Sequence, residues 1–220
     1  MEDRIVFEDE HIMVANKPHG MPTQSSEKKK DKDLYNELLS FLEAREGAPV
    51  YLALHHRLDA ATAGLVLFSK DKSINKDITD LFREKQIHKV YECLVDLKEQ
   101  IQEPEWEVKN KLIEYRYKHF KKAKSSKSGK TAHTKFELIE QSESEARIRC
   151  FPLTGRLHQI RVHLSEMKLP VQGDFHYNEE FRKKMRNEKE TTILKLCATE
   201  LSFVHPKTKQ HTSIKIQPTF

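Results

Sequence analysis

Glycine is scarce in this chain, six residues in 220, and no glycine-rich loop of the kind that cradles phosphates is present. Cysteine is scarcer still. Cys93, Cys150 and Cys197 are odd in number, widely scattered and without metal-ligand spacing, which predicts a reducing cytoplasm rather than a disulfide framework. No apolar run approaches the roughly 20 residues that a membrane-spanning helix needs, so no membrane partner is expected. The start, Met1-Glu2-Asp3-Arg4, lacks the basic-then-apolar pattern of a secretory signal. Histidine is plentiful, with twelve residues, but no His-Glu-x-x-His motif occurs. His158 and His163, at i and i+5, do not share a helix face, so no metal site is expected. A Gly-x-Ser-x-Gly nucleophile elbow is missing as well.

Positive charge is concentrated in one acid-free stretch. Between Tyr115 and Phe136 stand Arg116, Lys118, Lys121, Lys122, Lys124, Lys127, Lys130 and Lys135 without a single carboxylate, and these exceed the chain's net charge of +5. The rest of the chain is therefore mildly acidic. A basic segment concentrated on such a body predicts contact with a polyanion. The plainer reading of its Ser, Lys and Gly content is a mobile solvated loop. The length, and hydrophobic and charged fractions of 37% and 33%, suit one sizeable domain with a well-solvated surface.

The most informative stretch is Leu54-His55-His56-Arg57-Leu58-Asp59-Ala60-Ala61-Thr62-Ala63-Gly64. It sets a carboxylate, a guanidinium and two imidazoles in a short loop between apolar runs, Val50–Leu54 and Leu65–Phe68, that read as buried strands. Catalytic groups tend to sit on such scaffold-held loops. An Arg57–Asp59 ion pair finishing a tight turn is the alternative.

Around it, 4–16 reads as a hairpin and Lys17-Pro18-His19-Gly20-Met21-Pro22 as irregular backbone. Residues 24–33 read as a mobile polar segment. Leu34, Leu38, Leu39 and Leu42 mark an amphipathic helix over 33–45 ended near Gly47, and Ile74, Ile78, Leu81 and Phe82 another over 71–85. Strands are expected at 89–95, around 111–113, at 134–139, at 144–151 and between 196 and 216, with a break at His205-Pro206. The reading is a hairpin-rich, mostly antiparallel sheet with a few helices. No internal repeat or domain boundary is visible.

In the second informative stretch, Pro152-Leu153-Thr154-Gly155-Arg156-Leu157-His158-Gln159-Ile160-Arg161-Val162-His163-Leu164-Ser165-Glu166-Met167, the apolar Ile160, Leu164 and Met167 predict a short helix with Thr154 as N-cap and Pro170 barring continuation. Arg156 then falls in the first turn, where the helix dipole disfavours a cation, and this suggests that it serves an anion.

His56-Arg57-Leu58-Asp59-Ala60-Ala61-Thr62-Ala63-Gly64-Leu65 resembles the signature loop of the RluA-type RNA pseudouridine synthases, His-Arg-Leu-Asp-x-x-Thr-Ser-Gly-Leu. Other blocks follow in order: Asn16-Lys17-Pro18-His19-Gly20, Lys89-Val90-Tyr91, Thr154-Gly155-Arg156-Leu157-His158-Gln159-Ile160-Arg161-Val162-His163, Gly173-Asp174 and Phe203-Val204-His205-Pro206. The chain departs from the pattern at Ala63 for serine, Leu157 for threonine, and Lys168-Leu169-Pro170-Val171 for Gly-His-Pro-Ile. None of these removes an ionisable group.

The resemblance implies an α+β fold, a mixed, mostly antiparallel curved β-sheet flanked by helices and loops. It implies one catalytic domain over 1–220 without a separate N-terminal RNA-binding module. It also implies isomerisation of uridine to pseudouridine in structured RNA, ribosomal or transfer, with no cofactor and no DNA partner; a monomer is expected. In that pattern Asp59 is the essential carboxylate, acting on the ribose as nucleophile or as base. Arg156 stands against it, and a cation so placed lowers a carboxylate pKa. Arg57 fills the stack that the flipped uridine leaves. Tyr91 stacks on the uracil or takes part in removing the C5 proton. His56, Thr62, Gly155, His158, Arg161 and Leu196 are expected around the substrate, Leu196 as an apolar wall, with Lys118, Lys121, Lys122, Lys124, Lys127 and Lys130 on RNA phosphates. Two other readings stand beside this one. The first is a non-catalytic RNA-binding or chaperone protein on the same fold. The second is a carboxylate-pair glycosidase using Asp59 and Asp174, which the basic stripe disfavours.

Overall fold

The computed structural model describes residues 1–25, 32–118, 120–185, 193–218 and 220. The chain forms two compact units, 1–89 with 198–219 and 90–197 with Phe220.

The first unit begins with the expected hairpin, β1 (Ile5–Glu8) against β2 (Ile12–Lys17). Asp33 opens helix α1 (Leu34–Glu46) by accepting the Asn36 N–H, and Gly47 closes it in the left-handed conformation at φ 68. Leu34, Leu38 and Leu42 are its buried stripe. Of the apolar run before the central loop only β3 (Ala53–Leu54) pairs as strand, whereas β4 (Ala63–Ser69) is buried along its whole length. Gly64 in β4 has φ 114, and a Cβ there would fall 2.3 Å from the carbonyl oxygen of Ala198. Only glycine lets these two backbones approach so closely. Asp71 caps a 3-10 turn that leads into α2 (Asn75–Arg83). The core gathers Ile12, Val14, Leu65, Leu67, Ile74, Ile78, Leu201 and Phe203. Each such side chain contributes about 1.5–3 kcal/mol by leaving water.

Strand β5 (His88–Asp96) leads into the second unit, where the order is β5-β9-β8-β6-β7 and every pairing is antiparallel. The members are β6 (Glu105–Tyr117), β7 (Phe120–Ser125), β8 (Lys130–Gln141) and β9 (Glu145–Pro152). In β9 the alternation holds, with Ala146, Ile148 and Cys150 buried. Helix α3 (Gln159–Glu166) packs Val162 with Leu112, Ala123, Ala132 and the ring of Tyr177. A short helix, α4 (Glu179–Lys184), was not legible in advance. The chain leaves through β10 (Leu196–Val204) and returns in β11 (His211–Lys215), with the break at His205-Pro206 where it was expected.

Two local expectations are corrected, and a third is left largely untested. In the segment 118–133, read as mobile, the described residues form strand β7, a turn and the start of β8, with β7 paired from Leu112↔Ser125 to Tyr117↔Phe120. Strand β7 reads Phe-Lys-Lys-Ala-Lys-Ser with Lys122 and Ala123 buried side by side, so neither an apolar run nor an apolar–polar alternation announced it. The helix after Pro152 starts at Gln159 rather than at Thr154, because His158 takes the left-handed conformation at φ 53 and interrupts it. Arg156 therefore lies in the preceding loop, and the dipole argument for it lapses. Of the segment 24–33, residues 26–31 lie outside the described residues; Ser25 donates its N–H to Asp33.

Candidate active site and RNA-facing residues

The loop carrying Asp59 is held by its own backbone and by two buried side chains. Thr62 N–H donates to the Asp59 carbonyl at 3.0 Å, closing a turn. Lys17, at 0% exposure, donates from Nζ to the carbonyls of Pro18 (3.0 Å), Met21 (2.7 Å) and Ala60 (3.1 Å). Gly20 N–H adds a second bond to Ala60, at 2.8 Å. Thr23 reaches the other side of Asp59. Its hydroxyl donates to the Leu58 carbonyl at 2.8 Å and accepts the Leu58 N–H at 3.1 Å. Both neighbours of Asp59 are thus pinned, and the half-buried Asp59 is aimed by a rigid frame. Lys17 and Thr23 were missed as positioning residues. The lysine was visible only as part of the Asn-Lys-Pro turn, and a lone threonine carries no signal.

His56, expected near substrate, has a structural task. Its Nε2 accepts the N–H of Leu67 in β4 at 2.9 Å, and its ring lies against Phe82 at 4.8 Å. Burial, with smaller effects from Lys89 and His55, holds its pKa down to about 3, so the ring is neutral and able to accept. Arg57 is exposed and donates to the Gln24 carbonyl at 2.8 Å. Thr62 is buried.

In the second unit Tyr91 sits in β5 opposite Cys150 of β9, half-buried, while Cys93 and Val95 further along are fully buried. Leu196 is buried at the start of β10. Gly155 is exposed, and a side chain there would meet nothing within 4 Å.

The loop bearing Arg156 is organised by Gln159, whose buried amide uses both ends. Oε1 accepts from Thr154 Oγ1 at 2.7 Å and from Arg156 N–H at 3.1 Å. Nε2 donates to the His133 carbonyl at 3.0 Å and to Thr134 Oγ1 at 2.9 Å. The Thr154 hydroxyl, expected to cap the helix, is engaged by Gln159 and by the His133 N–H at 2.9 Å. Arg156 itself donates from Nε to the Thr131 carbonyl at 2.9 Å.

Arg161, expected to touch substrate, is 3% exposed and forms a two-pronged pair with the buried Asp174, both bonds at 2.7 Å. Asp174 also accepts the N–H groups of His176 and Tyr177. Burial alone pushes its carboxyl up, but Arg161 and those N–H groups outweigh it and the pKa is lowered. A carboxylate so engaged is no proton donor, which removes the glycosidase pair. Close by, the Tyr177 hydroxyl accepts the Ala123 N–H at 2.8 Å and lies 2.8 Å from His158 Nδ1. Burial lowers the His158 pKa to about 3 and pushes that of Tyr177 up to about 12. The network therefore assigns the hydroxyl proton to the bond with Nδ1 and leaves the imidazole proton on Nε2.

Of the six lysines expected on RNA, Lys122 is excluded by its burial at 8% exposure. Its ammonium donates to the His176 carbonyl at 2.7 Å and lies 5.0 Å from the centre of the Tyr177 ring. Lys118, Lys121, Lys124, Lys127 and Lys130 are exposed.

The fold is that of the pseudouridylate synthase domains. The human RNA pseudouridylate synthase domain containing 4 aligns over 99% of this chain and 89% of its own, with TM-score 0.75 and 23% identity. The human domain containing 1 aligns over 98% and 83%, with TM-score 0.76 and 22% identity. The model of the RNA pseudouridylate synthase family matches residues 11–166, and the chain belongs to that family. An uncharacterized RNA pseudouridine synthase of Mycoplasma pneumoniae is 32% identical over 219 residues, covering 97% of this chain and 66% of that protein. Ribosomal large subunit pseudouridine synthase C of Escherichia coli strain K12 is 32% identical over 211 residues, covering 94% and 64%. The chain thus spans slightly under two thirds of the length of these curated relatives. Among the described residues no helix is long and apolar enough to cross a membrane.

Proposed function

We propose that this chain isomerises uridine to pseudouridine in RNA. The first substrate class is ribosomal RNA, after the names of the bacterial relatives, and the second is a transfer RNA stem-loop. The N1–C1′ bond breaks, the uracil turns over, a C5–C1′ bond forms, the C5 proton leaves and N1 gains one. No electrons or phosphate change hands, so the residues need supply only charge, proton transfer and orientation. The observation that carries the proposal is the Asp59 loop. A single carboxylate stands in the family's sequence context, with both neighbouring residues fixed by the buried Lys17 and Thr23.

In this reading Asp59 acts at the ribose, as nucleophile or as base, and Arg156 supplies a guanidinium that favours the anion. Tyr91 stacks on the uracil or serves the C5 proton. Arg57, exposed and donating to the Gln24 carbonyl, fills the vacated stack. Thr62, Gly155 and Leu196 are carried over from the family's pattern as substrate-facing residues, whereas His56, His158 and Arg161 act by positioning. The protein works as a monomer in the cytoplasm, where its three free cysteines stay reduced.

The test is release of tritium from RNA labelled at uridine C5. Wild type should release it and Asp59→Asn should not; equal release from both overturns the assignment. The exposed basic hairpin also suits an RNA-binding protein without catalysis. That reading predicts no release from wild type and full RNA binding by Asp59→Asn.

A further inference from the structure

Tyr117, Phe120 and Phe175 leave 54%, 52% and 48% of their surfaces exposed. Single exposed aromatics are ordinary; a cluster of them is not. These three belong to one array. Tyr117 and Phe120 stand directly opposite each other at the end of the β6–β7 pair. The Phe120 ring lies 5.0 Å from that of His176. His176 in turn lies 6.1 Å from Phe175 and 6.2 Å from His158, the last pair nearly parallel at 13°. Rings therefore run from the hairpin end to a histidine of the Thr-Gly-Arg block.

The cations of the hairpin end lie in its turn and on the face of the β6–β7 pair opposite to the Tyr117 and Phe120 rings. Arg116 and Lys121 are directly opposite on the two strands, an arrangement that destabilises a sheet unless something neutralises it. Lys118 occupies the turn at φ 53, its ammonium 6.0 Å from the Tyr117 ring. Among the described residues none of these three cations is paired with a carboxylate. The nearby Asp174 is taken by Arg161, and Glu114 stands opposite Ala123.

We propose that this array is a stacking platform for unpaired nucleotides of the RNA, with bases on Tyr117, Phe120 and Phe175 and phosphates on Arg116, Lys118 and Lys121. Flat rings on one face of the hairpin end, with unneutralised cations in its turn and on its other face, fit a single strand wrapped over that end, which offers both π-faces and phosphates. A duplex hides the former. The inference deepens the proposed function by naming an unpaired segment of the substrate as what the second unit grips.

Anisotropy with labelled oligouridine and with a blunt RNA duplex tests it, using wild type, Phe120→Ala, Phe120→Trp and Lys121→Ala. Phe120→Ala should weaken oligouridine binding by about 5-fold or more, with the duplex and the salt dependence unchanged. Phe120→Trp should restore binding, which a folding defect would not allow. Lys121→Ala should weaken both probes and lower the salt slope for oligouridine by about 0.7. The proposal is overturned if Phe120→Ala binds oligouridine as wild type does. It is also overturned if Phe120→Ala loses both probes equally, or if it abolishes binding to anionic vesicles and not to oligouridine. Tritium release separates the two claims. A wild type that releases none while Phe120→Ala still weakens oligouridine binding refutes the isomerase and keeps the platform.

Discussion

The Nζ of Lys17 donates a hydrogen bond to the carbonyl of Ala60 at 3.1 Å, joining the Asn-Lys-Pro turn to the residue next to Asp59. The lysine has no exposed surface, and the same ammonium holds two carbonyls of its own turn.

Lys17→Met keeps the volume and removes the donor; the Ala60 carbonyl keeps the Gly20 N–H, so the Pro18 and Met21 carbonyls are the ones that lose this partner. Each unsatisfied buried group costs about 1–3 kcal/mol. Urea unfolding should show a loss of several kcal/mol, and tritium release should fall with it. A variant as stable as wild type would show that the ammonium is dispensable.

Thr23→Val is a gentler probe of the same loop. It removes the donor to Leu58 O and the acceptor for Leu58 N while nearly conserving shape. The expected loss is about 1–3 kcal/mol. If Asp59 is aimed by this frame, kcat should fall more than KM rises; a change confined to KM would contradict that.

The Arg161–Asp174 pair predicts strong coupling. Arg161→Met strands a buried carboxylate and should cost about 3–5 kcal/mol. Adding Asp174→Leu should recover much of it, since desolvation then falls on neither partner. Because the Asp174 carboxyl is held below its usual 3.8, the pair's contribution is complete above that pH. It is lost as pH falls through the lower folded value. Urea midpoints of the single and double variants check both points.

His56 and His158 give stability an acid limb. Each is held near a pKa of about 3 from an ordinary 6.5, so the unfolded chain binds these protons first. Stability is complete above 6.5 and falls as pH drops toward 3, by about 1.4 kcal/mol per pH unit for each histidine. His56→Gln retains an acceptor for Leu67 N–H without a titrating group. Its stability should fall less steeply with acid than that of wild type; an unchanged slope would remove His56 from the account.

Most strands and helices were legible because their signals are local. Leu34, Leu38 and Leu42 share a helix face, and Ala146, Ile148 and Cys150 share a strand face. The motif blocks were legible for the same reason. The hairpin at 118–133 was not, because its lysine-rich strand shows neither an apolar run nor an alternation of apolar and polar residues. Nor were the tasks of Arg161, His158 and Gln159. Each depends on partners from 13 to 26 residues away, Asp174, Tyr177, His133 and Thr134.

The sequence by itself determined the family, the kinds of ionisable group available and the order of the elements, since these rest on residue type and short-range spacing. The tertiary structure alone decided which charges are already taken and which remain exposed. Lys122 and Lys121 are adjacent in the chain, yet one ammonium is buried on a carbonyl and the other faces solvent. Burial and hydrogen bonding are set by what packs alongside, and a neighbour distant in the chain leaves no local trace.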